Sequence, residues 1–165
     1  MKIQQITTLL CVLGLSAAAG AADEENRTLM WDDLIPKEEK ALGTATQPVD
    51  PWAQGASQSP AVSVVAELDG QAVRLPGFIV PLESDEVGLL SEFFLVPYFG
   101  ACIHVPPPPP NQLVYVKLDE PFELKSLWDP FWVSGEMKAK GYESVMGQAG
   151  YTINNGEVAP YDWPE

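Results

Sequence analysis

The sequence predicts a mainly β protein: a small, partly open β-barrel of the OB-like type, with one or two short helices and an extended N-terminal arm. Three observations carry that expectation. Short runs of β-branched and aromatic residues recur between turn dipeptides, Pro76-Gly77 interrupts one run and so bends it, and Gly and Pro punctuate the whole chain, with 13 and 16 copies in 165 residues. A strand that must bend suits a small closed barrel.

The chain opens on a targeting pattern. Met1-Lys2 is followed by the apolar run Ile6 to Leu15 and then by small residues from Ala17 to Ala22, which reads as a secretory signal peptide over 1–22. Ten or so apolar residues fall short of the roughly 20 that span a bilayer. A soluble periplasmic protein without a stable membrane anchor is therefore expected. Cys11 is preceded by Leu10 in mid-run, unlike a lipoprotein cysteine, and goes with the discarded peptide. The chain has 9 basic and 23 acidic residues, and only Lys2 among them is removed. Such a charge repels phosphate backbones and anionic lipid, which argues against nucleic-acid or membrane-surface partners and favours cations or basic protein patches.

Residues 23–60 read as an extended acidic arm, rich in turns at Pro36, Pro48, Pro51 and Pro60. Within it Leu29, Met30, Trp31, Leu34 and Ile35 fall at near-helical spacing, Asp32 and Asp33 suit an early helical turn, and Lys37 to Leu42 adds another. A hydrophobic clasp that ties the arm to the domain is the favoured reading over a docking peptide for another protein.

Residues 61–165 form the expected β-barrel-like domain. Ala61 to Leu68 alternates, Asp69-Gly70 is a turn dipeptide, and Val73 to Leu82 is apolar again, which predicts a hairpin whose second strand bends at Pro76-Gly77 and ends at Pro81. Ser84 to Ser91 predicts a short helix with Ser84 as its N-cap. Phe93 to Val96 reads as a buried strand, Pro97 to Gly100 as a turn, Leu113 to Leu118 as an alternating strand and Pro130 to Gly135 as another. Tyr151 to Ile153 and Val158-Ala159 flank Asn154-Asn155-Gly156, which predicts a second hairpin at the C-terminus.

The chemistry is concentrated between Gly100 and Gln112. This stretch holds the only histidine of the chain, His104, and Cys102, the one cysteine outside the signal peptide. One cysteine cannot close an internal disulfide. On an extended segment, residues i and i+2 face the same way, so a thiolate and an imidazole approach one ion; zinc or cuprous copper accepts such donors. Further ligands would come from Glu83, Asp85 or Glu86, or from a second chain. Two other readings stand beside this one. In the first, Cys102 and His104 are buried and hydrogen-bonded; in the second they form a thiol-imidazole catalytic pair, which the Cα separation of roughly 6.5 to 7 Å for such a pair disfavours. Pro106 to Pro110 forms a polyproline II rod of about 15 Å. The rod is expected to pack on Trp or Tyr rings, with Asn111 and Gln112 satisfying proline carbonyls. Trp52, Trp128, Trp132 and Trp163 are read as core or proline-packing residues.

Arg74 to Leu82, then Phe94 to Val105 with the prolines and Asn111-Gln112, resemble a family of secreted bacterial proteins of unknown function. Trp31-Asp32-Asp33-Leu34-Ile35-Pro36 and Trp132-Val133-Ser134-Gly135 resemble its further marks, so the likeness covers nearly all of the exported chain. The resemblance implies an exported protein of Gram-negative bacteria, often encoded near ABC-transporter components, some of them in neighbourhoods that suggest metal uptake. It carries no activity. The expected function is a non-enzymatic periplasmic accessory or binding protein, metal-linked through Cys102 and His104 and associated with an envelope transporter. The alternatives are a thiol-dependent enzyme using the same two residues and a purely structural interaction module.

Expressed in a Gram-negative host, the protein is expected in the periplasmic fraction with an intact mass that starts at Ala22 or Asp23. Retention of the full-length mass would overturn the assignment.

Overall fold

Apolar side chains from Ala72 onward fall at every second position, and that periodicity builds the strands. The computed structural model describes residues 26–42, 58, 63–85, 88–101 and 107–162; 1–25, 43–57, 59–62, 86–87, 102–106 and 163–165 lie outside them. Among the described residues the strands are β1 (Arg27–Thr28), β2 (Ala72–Ser84), β3 (Leu89–Val96), β4 (Val114–Glu123), β5 (Phe131–Lys138), β6 (Tyr142–Ser144), β7 (Gly147–Ala149) and β8 (Tyr151–Pro160), with one α-helix, α1 (Lys37–Leu42). Strands β2, β3, β4, β8 and β5 are joined in that order and β5 pairs back onto β2. The expected small barrel is therefore present, and it has five strands. Its β4–β8 contact is parallel and the other four are antiparallel, while β1 adds a short parallel strand to β2.

The long strand β2 has two successive partners. Ala72 to Gly77 pairs with β5, and Phe78 to Ser84 pairs with β3. The change of partner falls where Pro76-Gly77 predicts a bend. A Cβ on Gly77 would lie 2.7 Å from the Val96 carbonyl oxygen and 2.9 Å from Leu95 Cγ, so glycine is required for β3 to come in at the crossover. The strand does not end at Pro81. It runs to Ser84 with a register shift between Pro81 and Glu83, because this half of β2 has a strand partner on one edge only, and a free edge tolerates a residue without an N–H.

Three expected elements are absent. Ser63 to Leu68 is not a strand; Ala66–Leu68 forms a 3-10 turn, since β1 and β5 already occupy the two edges of β2 beside it. The Asp69-Gly70 turn survives, with Gly70 at φ +77° and its N–H donated to the Met137 carbonyl. No helix spans Ser84 to Ser91: Asp85 accepts the Leu89 N–H on Oδ1 at 2.8 Å, Gly88 turns at φ +87°, and Leu89 already begins β3. The C-terminal hairpin is also absent, because Tyr151 to Pro160 is one strand held between β4 and β5. Asn155 does take positive φ, at 52°, but as a bulge: two residues of β8, Asn155 and Gly156, stand against the one residue Gly135 between the Glu136 and Ser134 pairings.

The bulges determine which residues face inward. Tyr151 and Ile153 join the barrel core, and after the extra residue at Asn155 it is Val158 that packs against it. Likewise Leu90 and Phe93 share the core although three residues apart, because the β3 register shifts between Leu90 and Glu92. Val73, Leu75 and Ile79 from β2, Leu95 from β3, Val114, Val116 and Leu118 from β4, and Val133 and Met137 from β5 complete the strands' share of the interior.

The described part of the N-terminal segment is built into this core. Leu29 and Leu34 are fully buried in it beside Leu68. Trp31 opens a 3-10 turn over Trp31–Leu34 and donates its indole N–H to the Pro76 carbonyl at 2.7 Å, the clasp expected of this segment. Each buried leucine contributes roughly 1.5–3 kcal/mol and one hydrogen bond about 1 kcal/mol, so apolar burial supplies most of the attachment. Tyr151 completes it from inside the barrel. Its hydroxyl donates to the Leu34 carbonyl at 2.7 Å and accepts the Val65 N–H at 2.6 Å.

Burial pushes the Tyr151 phenol up to about 12, above the value near 10 of an unfolded tyrosine. The folded state thus holds the proton that the unfolded state releases, and this contribution is complete below about pH 10 and lost as pH rises towards 12. Tyr151→Phe is expected to lower stability at neutral pH by about 1–3 kcal/mol, since two buried backbone groups lose their partner, and to flatten the decline above pH 10. Urea denaturation followed against pH checks both.

Candidate functional site

Three strands of the barrel carry apolar residues on the outside as well as the inside. Val80 from β2, Phe94 and Val96 from β3, and Leu113 and Tyr115 at the start of β4 form a second cluster with Ala101 and Ala149, against which Phe78, Leu82, Tyr142 and Met146 pack. The β6–β7 hairpin covers part of it. Tyr142 stacks on Tyr115 with centroids 3.7 Å apart and meets Phe94 edge-on at 6.1 Å. Burial, then a hydrogen bond to Glu92, raises the Tyr115 phenol. That same bond, reinforced by Lys117 at 2.9 Å, lowers the Glu92 carboxyl.

The Gly100 to Gln112 stretch is attached to this outer cluster. Gly100 turns at φ +83° and delivers Ala101, fully buried, into the wall. Immediately before it, Phe99 meets Phe78 edge-on at 6.2 Å and stacks on Trp128 at 4.2 Å. Trp128 is 72% exposed, so it is neither core nor proline packing; it lies on the loop between β4 and β5 and presents an aromatic face to solvent. Trp132 also departs from the expectation, because the Arg74 guanidinium lies 4.0 Å above its ring. Trp52 and Trp163 lie outside the described residues.

Cys102 and His104, the two residues singled out for metal chemistry, lie outside the described residues, as does Glu86. Their flanks are described. On the far side Pro108 and Pro110 are buried, and Gly147 lies against Pro107, close enough that an added Cβ would sit 3.3 Å from Pro107 Cβ. Pro110 does not extend the expected rod, because it opens a 3-10 turn through Gln112, a position where a missing N–H costs nothing.

The proline carbonyls find partners other than those expected. Gln58 donates to the Pro108 carbonyl at 2.8 Å, and the Gly150 N–H donates to that of Pro110 at 2.6 Å. Asn111, only 2% exposed, instead donates to Glu39 Oε2 at 3.0 Å and to the Ser63 carbonyl at 3.3 Å. Gln112 donates to the Trp31 carbonyl at 2.9 Å. The two amides therefore latch the N-terminal segment, whose carbonyls and carboxylate compete successfully for them. Of the proposed carboxylate ligands, Glu83 stands in β2 opposite Glu92 and Asp85 holds the β2–β3 turn. Among the described residues no group of three or more His, Cys, Asp or Glu is gathered as a metal site would need. Sequence reasoning passed over Met146 and Gln58, which carry no periodic signal and matter only through distant contacts.

Residues 31–160 match the family model described as protein of unknown function (DUF3299). The chain is similar to the crystal structure of a DUF3299 family protein (PA4066) from Pseudomonas aeruginosa PAO1, with a TM-score of 0.70 and 42% identity over 85% of this chain and 99% of that one. No curated protein matches it.

Asn111→Ala is expected to cost about 1–3 kcal/mol in urea denaturation, because the half-buried Glu39 carboxylate and the Ser63 carbonyl both lose a donor.

Proposed function

The chain belongs to the DUF3299 family of proteins of unknown function, and from that premise we propose that it is a non-enzymatic periplasmic accessory protein, which binds a soft metal ion through Cys102 and His104 and works with an envelope transporter. The observation that carries this reading is the anchoring of the chain on both sides of those residues. Ala101 is fully buried in the outer wall, and Pro107 and Pro108 are held by Gly147 and Gln58. Fixed ends lower the chain entropy that closing the five intervening positions around an ion would otherwise cost. The two side chains supply a thiolate and an imidazole two positions apart, a donor pair that zinc and cuprous copper accept.

Met146 supports the softer ion. It immediately precedes Gly147, the residue against Pro107, and packs on the same cluster as Ala101, which makes its thioether the third donor in this reading. Two sulfurs and a nitrogen suit cuprous copper, whereas zinc takes four ligands and needs a carboxylate or a second chain. The net charge of −14 draws cations towards the protein.

Anaerobic calorimetry with zinc and with cuprous ion on the exported chain tests the proposal. One ion per chain is expected, with affinity at least about tenfold weaker for Cys102→Ser and for His104→Ala, and with binding that weakens as pH falls because thiol and imidazole must lose their protons. A loss in Met146→Leu for cuprous ion alone separates the two metals. Indistinguishable binding by wild type and variants, or no binding by any, overturns the proposal.

A further inference from the structure

We propose that the gap between β4 and β8 docks an extended, basic segment of a partner protein by strand addition to the free edge of β8. The parallel ladder between these strands ends at Leu118 opposite Gly156, yet β4 continues to Glu123 and β8 to Pro160. Beyond that point the two strands part. Strand β8 stays paired with β5 alone, from Ser134 opposite Glu157 to Phe131 opposite Pro160. Strand β4 follows β3, but its pairing passes from Lys117 opposite Glu92 directly to Phe122 opposite Leu90, which leaves Leu118 in the core opposite Gly156 and pushes 119–121 out as a bulge. The barrel is consequently open on this side, and the backbone groups of Glu157 to Ala159 that face the gap have no strand partner in the described ladders.

Two cavities of about 430 and 490 Å³ fill the opening and meet at Phe122 and Val158. Their floor is apolar: Phe122 and Phe131 meet edge-on at 6.0 Å beside the half-buried Val158. Their rim is acidic on balance: Asp119 and Glu120 on the bulge and Glu157 on the edge strand line one cavity, and Glu123 and Asp129, with Lys125 3.9 Å from Glu123, line the other. An added strand presents alternate side chains to opposite faces. One set would meet the apolar floor and the other the acidic rim, so the segment that fits alternates apolar residues with lysine or arginine. Unpaired ladder groups supply main-chain bonds and the two surfaces supply selectivity, the usual division in strand addition. The free edge is short because Pro160 has no N–H to offer, so charge complementarity carries much of the recognition. None of these residues belongs to the Gly100 to Gln112 stretch.

The probe is a capped eight-residue peptide of alternating lysine and valine, titrated without metal into the exported chain and followed by NMR. Saturable binding is expected, with slowed exchange of the gap-facing amides of Glu157 to Ala159. Glu120→Lys/Glu157→Lys should weaken it by about tenfold at low salt, Glu143→Lys on β6 should leave it unchanged, and a backbone N-methylated peptide should not bind. Absence of binding, protection elsewhere, or equal binding of the methylated peptide overturns the proposal. Since no metal is present, none of these results bears on the calorimetry of Cys102 and His104.

Discussion

Closure of the barrel rests on close backbone approach at Gly77, where β2 leaves β5 and takes up β3. A side chain there would run into the Val96 carbonyl and Leu95. The same demand recurs within β5: a Cβ on Gly135 would stand 2.5 Å from Ile153 Cγ2 and 2.8 Å from the Asn154 oxygen, beside the β8 bulge. A small barrel has to bend its strands sharply, and these glycines are where neighbouring backbones come close enough to permit it. Once closed, the barrel presents one interior to every strand, and all five contribute to it.

The outside of β2, β3 and β4 is equally apolar and needs a cover of its own. The β6–β7 hairpin, Ala101 and the Phe99–Trp128 pair supply parts of it. The prolines are tied to the same hairpin through Gly147 and Gly150, where a Cβ at Gly150 would lie 2.8 Å from the Pro110 oxygen. The stretch with the distinctive chemistry thus starts and finishes on a rigid wall.

The latch between Asn111-Gln112 and the N-terminal segment links this wall to the core. Glu39, Ser63 and Trp31 are all held by these two amides, while Tyr151 holds Leu34 and Val65 from within. Residues far apart in the chain therefore stabilise one another across the barrel. A buried amide with two acceptors is costly to disturb because each orphaned group keeps its full desolvation penalty.

By itself the sequence determined the class and several elements: the β-rich composition, the strands at Phe93–Val96, Leu113–Leu118 and Pro130–Gly135, and the anchoring role of Trp31. These are local signals, set by period-two alternation and by the backbone limits of glycine and proline. Tertiary structure decided the rest. Asn154-Asn155-Gly156 has the composition of a turn, yet β4 and β5 hold both sides of it, and positive φ at Asn155 serves a bulge that changes which face Val158 presents. Ser84 to Ser91 has helical character in isolation, but pairing Leu89 and Leu90 with β4 satisfies the backbone and buries Leu90 at once. Asn111 was legible as a donor and its acceptors were not, since Glu39 lies 72 positions away, and no local pattern records a partner that only chain closure brings within reach.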